Sequence, residues 1–563
     1  MPGADTRHRA TLPGPYFPTS PPGLDDSLPE ALGGRRDEES MTDTTGNATS
    51  DGSTAGISII PRPISLERTG EGYRLTAPVI IRAGEDVATA VGLLGERLGG
   101  TADARDGEAA QVTITLDAAL GAEAYELNSG PDGVTITGGD AAGAFYGAMT
   151  LLQLLPPAVF SNDPGTGWEV PGVRISDRPA FAWRGSHLDC ARHFMPLDFV
   201  LKYIDLLALH KLNVFHWHLT EDQGWRLQID KYPRLTEVGA WRRETVLYRP
   251  DKFHPENDRY DKTPHGGFYS KDDVRTVLAH AHKRHVRVVP EIELPGHAQA
   301  AIAAYPELGN TGEQIEVGRK WGVIYDVLNV EDSTIRFFQD VFDEVIELFD
   351  SPYIHVGGDE CPKDQWQASA RAQERMEELD LPDEEHLQSW FIRQFDDHLN
   401  ARGRTLVGWD EILEGGLAEK AVVMSWRGEE GGIAAARAGH DVVMAPMTHT
   451  YFDFYQSNDR VQHTYSIGGY TPLSHVYTYR PIPAELTEEE AKHVLGAQYQ
   501  VWTEYMPTPG HVELMAFPRA CALAECVWHP EPGVYEEFFG RLQVHAKRLD
   551  ALEVSYYPLG LAE

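Results

Sequence analysis

Positive charge, cysteine and long apolar runs are all scarce in this sequence. Its 49 lysines and arginines face 86 aspartates and glutamates, a formal net charge of −37. No long basic run offsets that balance. A field of this sign repels phosphate backbones and anionic lipid, so neither nucleic acid nor a membrane surface is expected as a partner. The four cysteines, Cys190, Cys361, Cys521 and Cys526, are too few for a disulfide framework in 563 residues. They also lack the CxxC pairing of a zinc or thioredoxin-like site, and are expected as free, mostly buried thiols. No apolar run reaches the roughly 18 residues of a membrane span. The first 40 residues carry no apolar core of a signal peptide, and Met41 is an alternative start. A cytoplasmic location is the default expectation, which leaves secretion open.

What is present is a chain long enough for two to four domains, 42% apolar, with 12 tryptophans and 23 tyrosines. Residues 1–55 are rich in proline, glycine, serine, threonine and aspartate, and are expected to be disordered because they cannot bury enough apolar surface to offset ordering. Residues 56–178 read as a small α+β domain. Strand-like runs at 57–61, 78–82, 111–116 and 133–138 alternate with helical stretches at 87–98 and 141–155, and the turn residues at 128–133 suit a hairpin. The expected product is an antiparallel sheet covered by two helices.

From 179 to 563 the rhythm is strand then helix. Short apolar runs at 182–189, 213–219, 286–294, 353–358, 405–410, 421–426, 441–445 and 494–502 read as buried parallel strands. Helical stretches at 197–210, 271–284, 333–349 and 386–402 separate several of them, and a closing helix is expected at 535–552. Eight such units predict a (β/α)₈ TIM barrel. The alternative, a doubly wound open sheet, is disfavoured because no GxGxxG or P-loop opens any unit. No fixed-period repeat is visible.

A barrel of this kind places its active site at the C-terminal strand ends. Those ends hold carboxylates and tryptophans: Glu221 and Asp222, Glu291 and Glu293 before His297, Asp359 and Glu360, Trp409-Asp410-Glu411, Trp426, and Trp502 with Glu504. Carboxylates without a nucleotide motif suggest glycoside hydrolysis. His216 and His218 alternate along a strand and face one side, so a zinc site with His297, Glu291 and Glu293 is an alternative to a hydrogen-bonded core pair. Asp359-Glu360, after Gly357-Gly358, is the sharpest local feature. It reads either as a catalytic pair or as the acidic start of a helix.

Six runs carry a resemblance. Residues 184–194 (RGSHLDCARHF), 213–226 (NVFHWHLTEDQGWR), 289–297 (VPEIELPGH), 355–360 (HVGGDE), 408–412 (GWDEI) and 502–504 (WTE) resemble, in order, motifs of the glycoside hydrolase family 20 β-N-acetylhexosaminidases. The resemblance extends from about residue 57 to the end and includes that family's accessory domain. It implies an exo-acting retaining enzyme that removes terminal N-acetylglucosamine, or N-acetylgalactosamine, through an oxazolinium intermediate, with no metal or cofactor. N-acetylhexosamine-terminated oligosaccharides or glycoconjugates are the implied partners.

By the same resemblance, Glu360 is the general acid and base, with a raised pKa, and His297 and Asp222 form a relay behind it. Asp359 orients the acetamido group, and Tyr451 donates to its oxygen. Trp409 and Trp426 wall its methyl pocket, and Trp502 stacks beneath the sugar. Arg184, Asp453 and Glu504 bind the far hydroxyls. One departure is Glu293, where many relatives have aspartate; it is expected to alter packing, not chemistry.

Overall fold

The structure, a computed structural model, describes residues 56–562 apart from 100, 103–108, 249–256 and 460–462. The segment expected to be disordered, 1–55, lies outside the described residues.

Eight parallel strands close into a barrel: β1 (Trp183–Asp189), β2 (Val214–His218), β3 (Arg287–Leu294), β4 (Tyr353–Gly357), β5 (Thr405–Trp409), β6 (Val422–Ser425), β7 (Val442–Met444) and β8 (Val494–Tyr499). Each falls within the apolar run that predicted it. Strands wrapped by helices are covered on both faces and read as near-continuous apolar runs, which is why they stand out. Helices Leu197–Leu209, Lys271–Lys283, Asp332–Leu348 and Glu384–Asn400 cover the outside. In Asp332–Leu348 the buried residues Ile335, Phe338, Phe342 and Val345 recur at three- and four-residue steps, the stripe that fastens a helix to a sheet.

The register decides what meets inside. Val214 pairs with Arg287, His216 with Val289 and His218 with Glu291, while His187 pairs with His216 and Asp189 with His218. Because strand side chains alternate, residues two apart on these strands share one face. The lower interior is apolar, with Trp183, Val214, Val289 and Val407. The next layer upward holds His187, His216, Glu291 and His355, all buried.

The preceding domain is a seven-stranded sheet with helices Ala88–Leu98 and Ala141–Leu154. The hairpin is present, Tyr125–Gly130 against Gly133–Gly138. The sheet is mixed, not wholly antiparallel, because Val112–Leu116 runs parallel to both Gly133–Gly138 and Ile80–Ala83. The run at 57–61 forms no strand; Ile59 and Ile60 are simply buried. Two long strands, Ser65–Thr76 and Gly167–Asp177, pair instead. The first is largely exposed, polar and interrupted by register shifts around Gly70, so it lacks the apolar alternation that marks a strand.

This domain packs against the barrel beside the N-terminal ends of β1 and β2. Arg184, near the start of β1, donates to both carboxylate oxygens of Glu123 (3.0 and 2.9 Å) and to the hydroxyl of Tyr146 (3.1 Å). Lys211 is fully buried, 3.0 Å from Asp177. Arg548 of the C-terminal helix Tyr535–Ala551 donates to the carbonyls of Ser58 and Gln153. Removing one partner of a buried ion pair leaves the other uncompensated and costs about 3–5 kcal/mol. Glu123→Ala is therefore expected to lower the melting temperature markedly while leaving kcat/KM per folded molecule unchanged, as thermal denaturation and assays of the soluble fraction would show.

Among the described residues no helix is long and apolar enough to cross a membrane. All four cysteines are free and buried.

Candidate active site

The chain leaves β4 through backbone that few residues tolerate. Gly357 and Gly358 have φ of 69° and 93°, and Glu360 follows at 44°. A Cβ on Gly357 would lie 1.6 Å from Oε2 of Glu293, so that side chain would have to move, and the left-handed φ favours glycine in any case. Glu360, unlike glycine, pays for its left-handed conformation, a strain that accumulates at functional sites. The next helix starts only at Asp364, so Asp359 and Glu360 are not its first turn. The turn aims both carboxylates at His297, whose φ is also left-handed at 49°.

Nε2 of His297 lies 3.5 Å from Oδ2 of Asp359 and 3.5 Å from Oε2 of Glu360. Its Nδ1 faces Glu221 at 2.7 Å and Asp222 at 3.2 Å. The structure thus brings His297, Asp222 and Glu360 together as predicted, and adds Glu221 as the nearer partner. Burial works against charge on His297, but the carboxylates of Glu221 and Asp359 hold its proton well above the ordinary histidine range. Glu360 departs from expectation. Burial pushes its carboxyl up, yet the hydrogen bond and charge of His297 outweigh burial and hold it below the usual range. The raised carboxyls are its neighbours. Burial lifts Asp359 to about 6, and burial with the charge of Asp359 lifts Glu411 to about 8.

Aromatic side chains form the opposite wall. Trp409, Trp502 and Tyr451 are buried within one cluster, with Trp426 packed against it. Trp426 and Tyr451 stack with ring centres 6.0 Å apart, and Trp502 lies 5.8 Å from Trp409 and 6.4 Å from Tyr451. Carboxylates fix two indoles: Trp409 Nε1 donates to Glu291 at 2.9 Å, and Trp426 Nε1 to Glu411 at 2.9 Å. Asp453 and Glu504 line a small pocket with Trp502, Tyr465 and Ile467. Oδ1 of Asp359, Oδ1 of Asp453 and Oε2 of Glu504 are buried acceptors with no hydrogen-bond partner within the described protein. Such groups are costly unless a ligand satisfies them.

Arg184 is not part of this site. It sits at the opposite end of β1, fully buried in the domain interface. The arginine at the site is Arg192, just beyond the C-terminal end of the same strand, 3.0 Å from Glu221 and 4.9 Å from the centre of the Trp502 ring. Its place past the end of β1 is the signal that could have found it. Sequence reasoning missed Arg192, and it named Glu221 and Glu411 among the strand-end carboxylates without giving either a role. His216 and His218 do face one side and meet Glu291, with His355 and His187 nearby. Oε1 of Glu291 engages Trp409 and His355, and Nδ1 of His216 engages Gln498, as in a hydrogen-bonded core pair, whereas both nitrogens of His187, Nε2 of His355 and both oxygens of Glu293 have no hydrogen-bond partner among the described residues.

Comparison with known proteins agrees with this geometry. The profile of the glycosyl hydrolase family 20 catalytic domain matches residues 181–531, and that of the family's domain 2 matches residues 56–178. The chain belongs to glycosyl hydrolase family 20. A family 20 relative, the β-hexosaminidase of Porphyromonas gingivalis, is 44% identical over 89% of this chain, which spans 64% of that protein's length. The β-N-acetylhexosaminidase of Cellulomonas fimi is 32% identical over 87% of this chain and 94% of its own. Among solved family 20 structures, the exo β-N-acetylglucosaminidase of Vibrio harveyi in complex with N-acetylglucosamine superposes with a TM-score of 0.77 at 31% identity, covering 89% of this chain and 78% of that one. The β-N-acetylhexosaminidase from Streptomyces coelicolor gives 0.75 at 32% identity, covering 89% and 97%.

Proposed function

We propose that this family 20 chain is a retaining exo-β-N-acetylhexosaminidase that cleaves terminal N-acetylglucosamine, or N-acetylgalactosamine, by substrate-assisted catalysis. The observation that carries the reading is the pairing of Asp359 and Glu360 on His297, opposite an aromatic wall and beside unsatisfied buried carboxylates. Asp453, Glu504 and Arg192 suit the hydroxyls of a terminal sugar. The aromatic wall suits an acetamido methyl and the apolar face of a pyranose.

In the first step the substrate's acetamido oxygen attacks the anomeric carbon, and the bond to the leaving oxygen breaks as Glu360 protonates it. The product is an oxazolinium ion, whose positive nitrogen faces the carboxylate of Asp359, while Tyr451 donates to the acetamido oxygen. Glu360 then takes a proton from water, which opens the ring at the anomeric carbon. Two inversions retain configuration. Holding the acetamido oxygen in place makes the attack intramolecular, which is worth on the order of 7–11 kcal/mol. His297 is the proton station behind Glu360 and keeps a proton 3.5 Å from its oxygen.

A panel of p-nitrophenyl glycosides tests the reading. Hydrolysis of the N-acetylglucosaminide or N-acetylgalactosaminide with no cleavage of the glucoside supports it, and equal cleavage of the glucoside sinks it.

The pH dependence follows from Asp359. Its anion is the form that stabilises the nitrogen, and its pKa is raised to about 6. Activity is therefore expected to fall as pH drops through about 6, and Asp359→Asn is expected to lose that acidic limb along with most of its rate. A pH profile of kcat for both proteins would check this.

A further inference from the structure

The interior of a (β/α)₈ barrel is ordinarily packed with branched apolar side chains. Here one layer is ionic. Oε1 of Glu291 lies 2.7 Å from Nδ1 of His355 and accepts from Trp409 Nε1. Its Oε2 lies 3.0 Å from Nε2 of His216 and 3.9 Å from Nε2 of His187, and contacts Nδ1 of His218. The other nitrogen of His218, Nε2, reaches Oε2 of Glu221 at 3.2 Å. Oε1 of Glu221 reaches Nδ1 of His297, and Nε2 of His297 faces Glu360. An unbroken line of alternating charge therefore runs from the barrel interior to the proposed acid.

Of His218, His216 and His187, only His218 is held above the ordinary histidine range. Burial opposes it, but Glu291 and Glu221 raise His218 to about 10. Burial lowers His216 to about 4 and takes His187 well below the ordinary range. The other titratable groups facing this line are Arg192 above it, Asp189 on β1, Asp222 and Asp359 on His297, and Glu293 on β3, whose carboxyl burial pushes well up.

We propose that the Glu291–His218 ion pair sets the proton affinity of Glu360 through Glu221 and His297, which makes Glu291 and His218 positioning residues for the acid and base steps. The proposal rests on the reading of Glu360 given above. Its sign follows from order along the line. The positive end of the pair, His218, stands nearer Glu360 than the negative end, so the pair presents a net positive potential that weakens proton binding there. Discharging the pair strengthens it.

The test is the pH profile of kcat, which reports the substrate complex, measured on the full chain with a saturating N-acetylglucosamine oligosaccharide whose sugar leaving group needs protonation. Glu291→Gln and His218→Gln are each expected to move the alkaline limb upward by at least about half a pH unit, a modest fraction of what a directly contacting charge does. The double variant should move it no farther than the larger single shift, and Glu291→Asp should restore the limb. A purely structural role would lower the melting temperature or the rate and leave the limb in place. If Glu291→Gln does not fold, His218→Gln carries the test alone. An unmoved limb in the folded variants, or additive shifts, overturns the proposal. Glu360→Gln separates the two ideas. If it abolishes the limb while Glu291→Gln leaves it unmoved, only the ion-pair proposal falls. If Glu360→Gln keeps the wild-type limb, both fall.

Discussion

Glu360→Gln is expected to fold normally and to lose at least about 10²-fold in kcat on substrates with poor leaving groups, the usual scale for removing a general acid. The amide keeps the size of the carboxyl but carries no transferable proton. The loss should shrink for activated aryl glycosides, whose leaving oxygen needs little protonation, so the two substrate classes diverge in the variant. Deglycosylation, in which Glu360 acts as base, becomes the slow step for the activated substrates. Wild-type turnover of alkyl or sugar leaving groups by the variant would remove Glu360 from the reaction. The lowered pKa of Glu360 does not weaken this expectation, because in the proposed mechanism the acidic proton is stored one group back. His297 holds it between Glu221 and the catalytic pair, and shielding of Glu360 from water by a bound sugar favours its neutral form.

The second large effect concerns the nucleophile. If the acetamido oxygen attacks, replacing its methyl hydrogens by fluorine withdraws electrons from that oxygen and slows the reaction with each substitution. The kcat/KM of aryl glucosaminides is expected to fall steeply through the acetyl, monofluoroacetyl, difluoroacetyl and trifluoroacetyl series, with the plain glucoside inert. Asp359→Asn should deepen the loss by withdrawing the charge that stabilises the nitrogen. A flat series, or a trapped glycosyl ester on a protein carboxylate, would assign the attack to the enzyme instead.

How far the fold could be read from the chain depended on burial. The barrel strands were legible because both faces are covered, so runs such as Arg287–Leu294 and Val494–Tyr499 are almost continuously buried. Ser65–Thr76 was not, since an exposed edge strand carrying Gly70 and Gly72 has neither apolar alternation nor regular register. At the site, the strand-end motifs located Asp359, His297, Trp409 and Trp502. Arg184 and Arg192 lie in the same short motif, and what separates them is which end of β1 each occupies. Glu221 and Asp222 are adjacent carboxylates, and only the pairing of Thr220–Glu221 with Gly224–Trp225 shows that both reach Nδ1 of His297. The depressed pKa of Glu360 was beyond reach of sequence, because it depends on a proton carried by a histidine from another strand.

The interface between the small domain and the barrel limits where a gene for this enzyme can be cut. A shortened protein beginning at the first barrel strand would keep Arg184 and Lys211 but lose Glu123, Tyr146 and Asp177, and it would bare the rings of His285 and Trp528 on which Phe145 and Tyr146 pack. It would also strand Arg548, whose acceptors are the carbonyls of Ser58 and Gln153. Inheritance and engineering meet the same constraint: among the described residues the small domain contributes no side chain to the chemistry proposed above, yet the barrel has to be copied, transferred or expressed with it.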